Sequence, residues 1–144
     1  MSSEIVIKFL VAAVLAGTPF LFGTVGEILS EKVGHLNLGV EGMMSIGACA
    51  GFMVGYQTDN FVAALLAAAV AGMLSALIYG VLTVTFMANQ NVTGLTLTIF
   101  GVGLANFIGV FMLEKSENGT LKLPDAVTAQ MRNIHIPGLS DLPV

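Results

Sequence analysis

The sequence predicts an all-α, polytopic transmembrane protein with about four membrane segments, one of them broken or re-entrant, and an extramembrane C-terminal segment. Apolar residues make up 56% of the 144 residues and charged residues only 10%, whereas a soluble domain carries about 25% charged residues. No Asp, Glu, Lys or Arg occurs between Asp59 and Glu114. A bilayer requires such a run, and a soluble domain could not cover its surface with it.

The first membrane segment is predicted near residues 5–25. This apolar stretch is longer than the core of a typical signal peptide, and no clear small-residue cleavage site follows it. We therefore interpret it as a retained first span. Residues 26–35 follow as a polar turn at the membrane surface, because they carry Glu27, Glu31 and Lys32.

The second segment, near 36–56, contains a carboxylate within an apolar stretch. Glu41 follows Asn37, and glycines are dense around both. This density predicts a broken or partly unwound helix near the start of the segment, as occurs in transporters where backbone lines a cavity. Glu41 then has three interpretations: a cap for the amides of the helix break with Asn37 as its neighbour, a substrate contact, or a proton relay. The relay would need further titratable partners, and the segments contain almost none.

The third and fourth segments are predicted near 61–87 and 92–113. Small residues recur every four positions in the last three segments, so they share one helix face and let another helix approach closely. The residues expected to pack helices in this way are Gly47, Gly51, Gly55, Gly72, Gly80, Gly101 and Gly109.

The remaining residues, 114–144, are predicted to lie outside the membrane. Charges and prolines return here, and no apolar run is long enough to span a bilayer. A short amphipathic helix is expected near 124–132. Residues 1–113 thus form the predicted transmembrane region, and 114–144 the predicted extramembrane segment.

Several chemistries are disfavoured by the sequence. The net charge of −4 argues against a nucleic-acid partner. There is no glycine-rich loop ending in Gly-Lys-Ser/Thr, so ATP binding by that device is not expected. The two histidines and the single cysteine, Cys49, do not form a cluster with metal-ligand spacing. We expect no catalytic residue, metal or cofactor in this chain.

A set of polar and small residues carries a family resemblance. It comprises Glu31, Gly34, Asn37, Gly39, Glu41, Gly42, Gly47 and Ala48, then 88–90, 92–95 and 136–143. This pattern resembles the permease subunits of ABC importers, in the branch that carries nucleosides and simple sugars and is related to the branched-chain amino acid and ribose permeases. His35 departs from the pattern, because that position is usually apolar in the family.

The resemblance implies the N-terminal half of a multi-pass permease in the cell membrane that works by alternating access. The implied partners are a second permease subunit, an extracytoplasmic substrate-binding protein, and an ATP-binding cassette subunit that uses ATP. It also implies that 114–144 is external. Four full spans would then place the N-terminus outside, whereas a re-entrant Glu41 segment would place it inside.

Six polar residues are candidates for the substrate pathway. Uncharged amides and hydroxyls suit the hydroxyls and base edges of sugars and nucleosides, although turn residues at a membrane interface have the same composition. The candidates are Asn37, Glu41, Asn89, Gln90, Thr93 and Asn106.

Two other functions stay open from the sequence alone. A permease for branched-chain amino acids would need partners for a carboxylate and an ammonium group. A small four-span assembly or regulatory protein, without transport activity, would use the small-residue faces equally well.

Overall fold

The computed structural model describes residues 3–116 and 119–130, and the 136–143 motif lies outside them. The described residues form helices joined by short turns, with no strand among them. The prediction of an all-α membrane protein is confirmed. The helices are α1 (Ser3–Lys32), α2 (Val40–Thr58), α3 (Phe61–Gly80), α4 (Gln90–Lys115) and α5 (Asp125–Gln130).

Within the described residues, three helical stretches are long and apolar enough to cross a membrane: Glu4–Lys32, Phe61–Thr85 and Gln90–Lys115. Helix α2 is shorter, at 19 residues; it contains four glycines and carries Glu41 in its first turn. It is the segment for which the sequence predicts a break. The helix begins at Val40, four residues after the predicted start of that segment. Residues 35–39, just before it, are not helical.

Helix α1 is almost entirely exposed within the chain. It runs through Lys32 as one helix of 30 residues, with Pro19 inside it. Its large side chains face outward; Phe20, for example, is 72% exposed. Its close approach to α2 is at Gly23, where an added Cβ would lie 3.0 Å from the Met44 sulfur. Helix α1 is therefore a peripheral element that leaves most of its apolar surface for lipid or other protein.

Helices α2 and α3 pack through small residues. An added Cβ would lie 3.1 Å from the Ala68 carbonyl oxygen at Gly47 and 3.1 Å from the Ala64 carbonyl oxygen at Gly51. At Gly55 it would lie 3.2 Å from the Ala64 Cβ. Because these glycines lie four residues apart, they let two backbones run side by side over two turns.

The crossing of α2 and α4 is tighter still. A Cβ on Gly42 would lie 2.6 Å from the Thr98 Cα, and a Cβ on Gly101 would lie 2.7 Å from the Gly42 Cα. Real Cβ atoms do not approach backbone this closely, so both positions require glycine. Met43 and Leu97 are buried beside this crossing.

The other three glycines predicted to pack helices have no such neighbours. An added Cβ at Gly72, Gly80 or Gly109 would meet nothing within 4 Å. Their role in helix packing stays a prediction.

Asparagine side chains cap the N-termini of α3 and α4. The Asn60 Oδ1 accepts hydrogen bonds from the backbone N–H groups of Val62 (2.9 Å) and Ala63 (3.2 Å) at the start of α3. The Asn89 Oδ1 accepts one from Val92 at the start of α4, at 3.1 Å. Each satisfies amides that have no partner within the helix.

The two ends of α3 differ in structure. Between α3 and Asn89 the chain makes a π-helical turn, Val81–Thr85. At the opposite end of the bundle, α5 packs on the α2–α3 hairpin: its Val127 is fully buried, and the Leu123 side chain lies 3.3 Å from the Cβ position of Gly55.

The Gly101–Gly42 contact predicts a position-specific effect of one methyl group. Gly101→Ala should destabilise the protein by about 1–3 kcal/mol, because the α2 and α4 backbones would have to separate. Gly103→Ala, on an open part of the same helix, is the matched control and should be neutral within about 0.5 kcal/mol or slightly stabilising. Thermal unfolding of the full-length protein in detergent measures both. Equal melting temperatures for the two variants would contradict the packing described here.

Candidate functional site

Residues 35–39 form a non-helical segment between α1 and α2, which we call the interior strap. Gly34 has a φ of +84°, a left-handed conformation that glycine adopts without strain and that turns the chain back towards the bundle. The His35 N–H donates to the Ser30 carbonyl oxygen at 3.0 Å, which closes the turn after α1. Within the strap, Asn37 and Gly39 are buried.

Both backbone groups of Leu36 are held by side chains from distant helices. Its N–H donates to the Gln90 Oε1 at 2.9 Å, and its carbonyl oxygen accepts from the Tyr79 hydroxyl at 2.9 Å. Tyr79 is only 6% exposed. One residue of the strap is therefore fixed from α3 on one side and from α4 on the other.

The next two strap residues are fixed in the same way. The Asn37 N–H donates to the Glu27 Oε1 of α1 at 2.6 Å, and the Leu38 carbonyl oxygen accepts from the Thr98 hydroxyl of α4 at 2.6 Å. The strap thus receives side-chain hydrogen bonds from α1, α3 and α4. In an apolar surrounding an unpaired backbone group costs several kcal/mol, which is why such backbone needs partners.

The side chain of Asn37 completes the strap from within. Its Oδ1 accepts from the Gly39 N–H at 2.9 Å, and its Nδ2 donates to the Met43 sulfur at 3.7 Å. Gly39 is the residue just before α2 and has no side-chain cap of its own. Asn37 therefore satisfies the amide that begins the broken segment.

Gly94 makes room for the strap on α4. A Cβ at Gly94 would lie 2.8 Å from the Leu38 nitrogen and 2.9 Å from the Gly39 nitrogen. The strap therefore runs along the first turns of α4, between Gln90 and Thr98. These residues span about 12 Å of helix at 1.5 Å per residue, so the strap enters the bundle and does not lie across its end.

A cleft of about 590 Å³ opens beside the strap, between α1 and the first turns of α2. We call it the α1–α2 cleft. Its apolar lining includes Leu38, Val40 and Met44. The polar side chains on it are Thr24, Glu27, Asn37, Glu41 and Ser45.

The structure brings together only part of the predicted set. Asn37 and Glu41 line the α1–α2 cleft, and Gln90 holds the strap. Asn89 is the cap of α4, and Asn106 lies on an exposed face of α4, away from the strap. Glu41 is exposed. The Gly39 amide at the helix break donates to the Asn37 side chain and not to the Glu41 carboxylate.

Asn89 and Gln90 share a small separate hollow with their neighbours Ala88 and Asn91. Thr93 is half-buried in the first turn of α4, where its N–H donates to the Asn89 carbonyl oxygen at 2.9 Å. The pathway role of all six predicted residues stays a proposal.

Three residues of the strap site did not emerge as candidates from the sequence: Glu27, Tyr79 and Thr98. Glu27 looked like a surface charge, because the helix was expected to end before it. Two buried polar atoms at the strap also have no hydrogen-bond partner among the described residues. They are the Glu27 Oε2 of α1 and the Nδ1 of His35 in the strap itself. A polar side chain one turn inside an apolar helix, facing a glycine-rich break, is the signal that could have pointed to Glu27.

The strap predicts a measurable difference between two threonines of α4. Thr98→Val leaves the Leu38 carbonyl oxygen without its partner and should cost about 1–3 kcal/mol of stability. Thr96 donates to the Val92 carbonyl oxygen of its own helix at 2.8 Å and is exposed, so Thr96→Val is the matched control with an effect near zero. Chemical or thermal unfolding in detergent compares them. The strap assignment is wrong if the two substitutions cost the same.

Comparison with known proteins identifies the family. Residues 5–133 match the family described as branched-chain amino acid transport system / permease component. The chain is 35% identical over 126 residues to a Haloferax volcanii protein provisionally named glucose ABC transporter permease protein TsgC13, covering 88% of this chain and 38% of that protein. No solved structure matches the chain.

Two bacterial relatives extend the comparison. The chain is 32% identical over 139 residues to the guanosine ABC transporter permease protein NupQ of Bacillus subtilis, covering 92% of this chain and 42% of the relative. It is 29% identical over 134 residues to the nucleoside ABC transporter permease protein NupC of Lactococcus lactis, covering 88% and 40%. The chain therefore spans about two fifths of the length of these curated relatives.

The family match covers most of the chain, and three of its helical stretches are long and apolar enough to cross a bilayer. The chain is therefore a multi-pass membrane protein that belongs to the family of branched-chain amino acid transport system permease components.

Proposed function

We propose that this chain is part of the transmembrane permease component of an ATP-driven importer for nucleosides or related simple sugars. The observation that carries the proposal is the interior strap beside the α1–α2 cleft. Non-helical backbone at membrane depth is tolerated where it is buried in protein or lines a cavity, and transporters place their binding sites at such discontinuous helices.

The chemistry of this region supports a neutral polar substrate. The strap is surrounded by amide, hydroxyl and carboxylate groups, and the cleft lining contains no Lys or Arg from the part of the chain that the structure describes. Sugars and nucleosides carry many hydroxyl groups, which can donate hydrogen bonds to such oxygens. The curated relatives are named for glucose, guanosine and nucleosides.

The proposed mechanism is alternating access, with ATP hydrolysis in another subunit. A second permease subunit would complete the path, an extracytoplasmic binding protein would deliver the substrate, and an ATP-binding cassette subunit would drive the change of access. The architecture of the chain supports a change of access at the α1–α2 cleft. Helices α2, α3 and α4 pack as a tight unit, whereas α1 borders the open cleft.

Branched-chain amino acids are the second candidate substrate class, because the family description names them. The α1–α2 cleft disfavours them. The carboxylate of an amino acid would face Glu27 and Glu41 without a cationic partner from the cleft lining, and like charges at close range repel.

Uptake measurements test the proposal. Cells that lack the transporter are supplied with the full-length protein and its partners, and radiolabelled guanosine, glucose and leucine are offered separately. We expect uptake of guanosine or glucose that is lost when the ATP-binding cassette subunit is deleted or inactivated. Leucine should not be taken up.

Three results would overturn the proposal. Uptake that is unchanged without the ATP-binding cassette subunit would exclude an ATP-driven importer. Uptake of leucine alone would assign the protein to the amino acid branch. If none of the three compounds enters in the presence of all partners, the assembly or regulatory function becomes the better explanation.

A further inference from the structure

The polar groups of the α1–α2 cleft share one property, which is that they accept hydrogen bonds but have few hydrogens left to donate. Two hydroxyls show this directly. The Thr24 hydroxyl donates to the Phe20 carbonyl oxygen at 2.8 Å, and the Ser45 hydroxyl donates to the Glu41 carbonyl oxygen at 2.9 Å. Each hydroxyl has a single hydrogen, so a ligand meets only the oxygen lone pairs.

The other polar groups of the cleft behave in the same way. Asn37 is buried; its Oδ1 accepts from the Gly39 N–H, and its Nδ2 uses one of its two hydrogens on the Met43 sulfur, which leaves one hydrogen to donate. The carboxylates of Glu27 and Glu41 can only accept when ionised. Glu27 uses one oxygen for the strap, and its second oxygen has no partner among the described residues. Among the described residues, no Lys, Arg or His side chain lines the cleft.

We propose that the α1–α2 cleft is a substrate subsite in which the protein accepts hydrogen bonds from the hydroxyl groups of a ribose or hexose ring. This inference rests on the proposed function and assigns the sugar ring, not the base or the aglycone, to this cleft. Glu41 is the principal acceptor, because it is exposed on the cleft and its carboxylate accepts no hydrogen bond from the described residues. Hydroxyl-to-carboxylate hydrogen bonds are charge-assisted and stronger than those between neutral groups.

The shape and lining of the cleft favour a neutral ring over an anion. Its volume of about 590 Å³ falls in the range of small-molecule sites, roughly 300–1,000 Å³. Phe20, Leu38, Val40 and Met44 supply apolar surface, which suits the C–H faces of a sugar ring. An anion would meet two carboxylates without a cationic partner among the described lining residues.

A substrate series combined with one substitution tests the inference. Uptake by the full-length transporter is measured for guanosine, 2′-deoxyguanosine and 2′,3′-dideoxyguanosine, and for glucose beside 2-deoxyglucose. Glu41→Ala should raise the KM for the fully hydroxylated substrate by about ten-fold, as expected for loss of a hydrogen bond to a charged group. The same substitution should change the KM by less than about two-fold for the analogue that lacks the bonded hydroxyl.

The matched control is Glu31→Ala. Glu31 is an exposed carboxylate in the last turn of α1 and does not line the cleft, so its removal should leave all KM values unchanged. An equal effect of Glu41→Ala on every analogue, or no effect on any of them, would overturn the inference. In both cases the wild-type protein still imports its substrate, so the proposed function would stand. Absence of any uptake by wild type would remove both.

A labelling experiment keeps the inference testable if Glu41→Ala does not fold. Ser45→Cys is placed in a Cys49→Ala background of the full-length protein and treated with a membrane-permeant maleimide. Guanosine or glucose should slow the labelling, and the dideoxy analogue should do so only at higher concentrations. Thr58→Cys, exposed at the far end of α2, should react equally with and without substrate. If the thiol introduced by Ser45→Cys does not react, or if no substrate protects it, the cleft is filled by protein or is not a subsite.

Discussion

A short stretch of backbone without helical hydrogen bonds governs this structure. The interior strap places non-helical N–H and C=O groups against three apolar helices, with Asn37 and Gly39 buried and Leu36 and Leu38 exposed, and such groups need partners from elsewhere in the chain. Glu27, Tyr79, Gln90 and Thr98 supply those partners from three different helices. Because each bond ends on backbone, the strap ties the helices together whatever side chains it carries itself.

The glycines serve the same arrangement. Gly42 and Gly101 bring α2 against α4, and Gly94 brings the strap against the first turns of α4. Only when these backbones are in contact can side chains as short as threonine reach a strap carbonyl. Close packing and satisfied backbone are therefore linked, and a defect in one would disturb the other. Helix α1 lies outside this unit, joined to it through Gly23 and Glu27.

Composition and hydropathy were sufficient to predict the fold class, because a run without charges from residue 60 to 113 is compatible with few structures other than membrane-spanning helices. The glycine density around Glu41 also located the broken segment, although the break lies at residues 35–39, before Glu41. The partners of the strap could not be read from the sequence. Tyr79 and Thr98 lie 43 and 60 residues from the carbonyl groups they bind, and neither differs locally from an ordinary residue of an apolar helix. The pattern of small residues could not tell Gly101, which touches α2, from Gly109, which faces open space.

The connection between α3 and α4 tolerates little change in its number of residues. Surface connections usually accept insertions and deletions. Here the π-helical turn Val81–Thr85 lies between two residues, Tyr79 and Gln90, that bind the carbonyl and the amide of the same residue, Leu36. A π turn holds one residue more than an α turn, so its removal would rotate the following chain relative to α3. The number of residues between Tyr79 and Gln90 is thus constrained by a residue more than forty positions earlier, and this loop should diverge in sequence far more readily than in length.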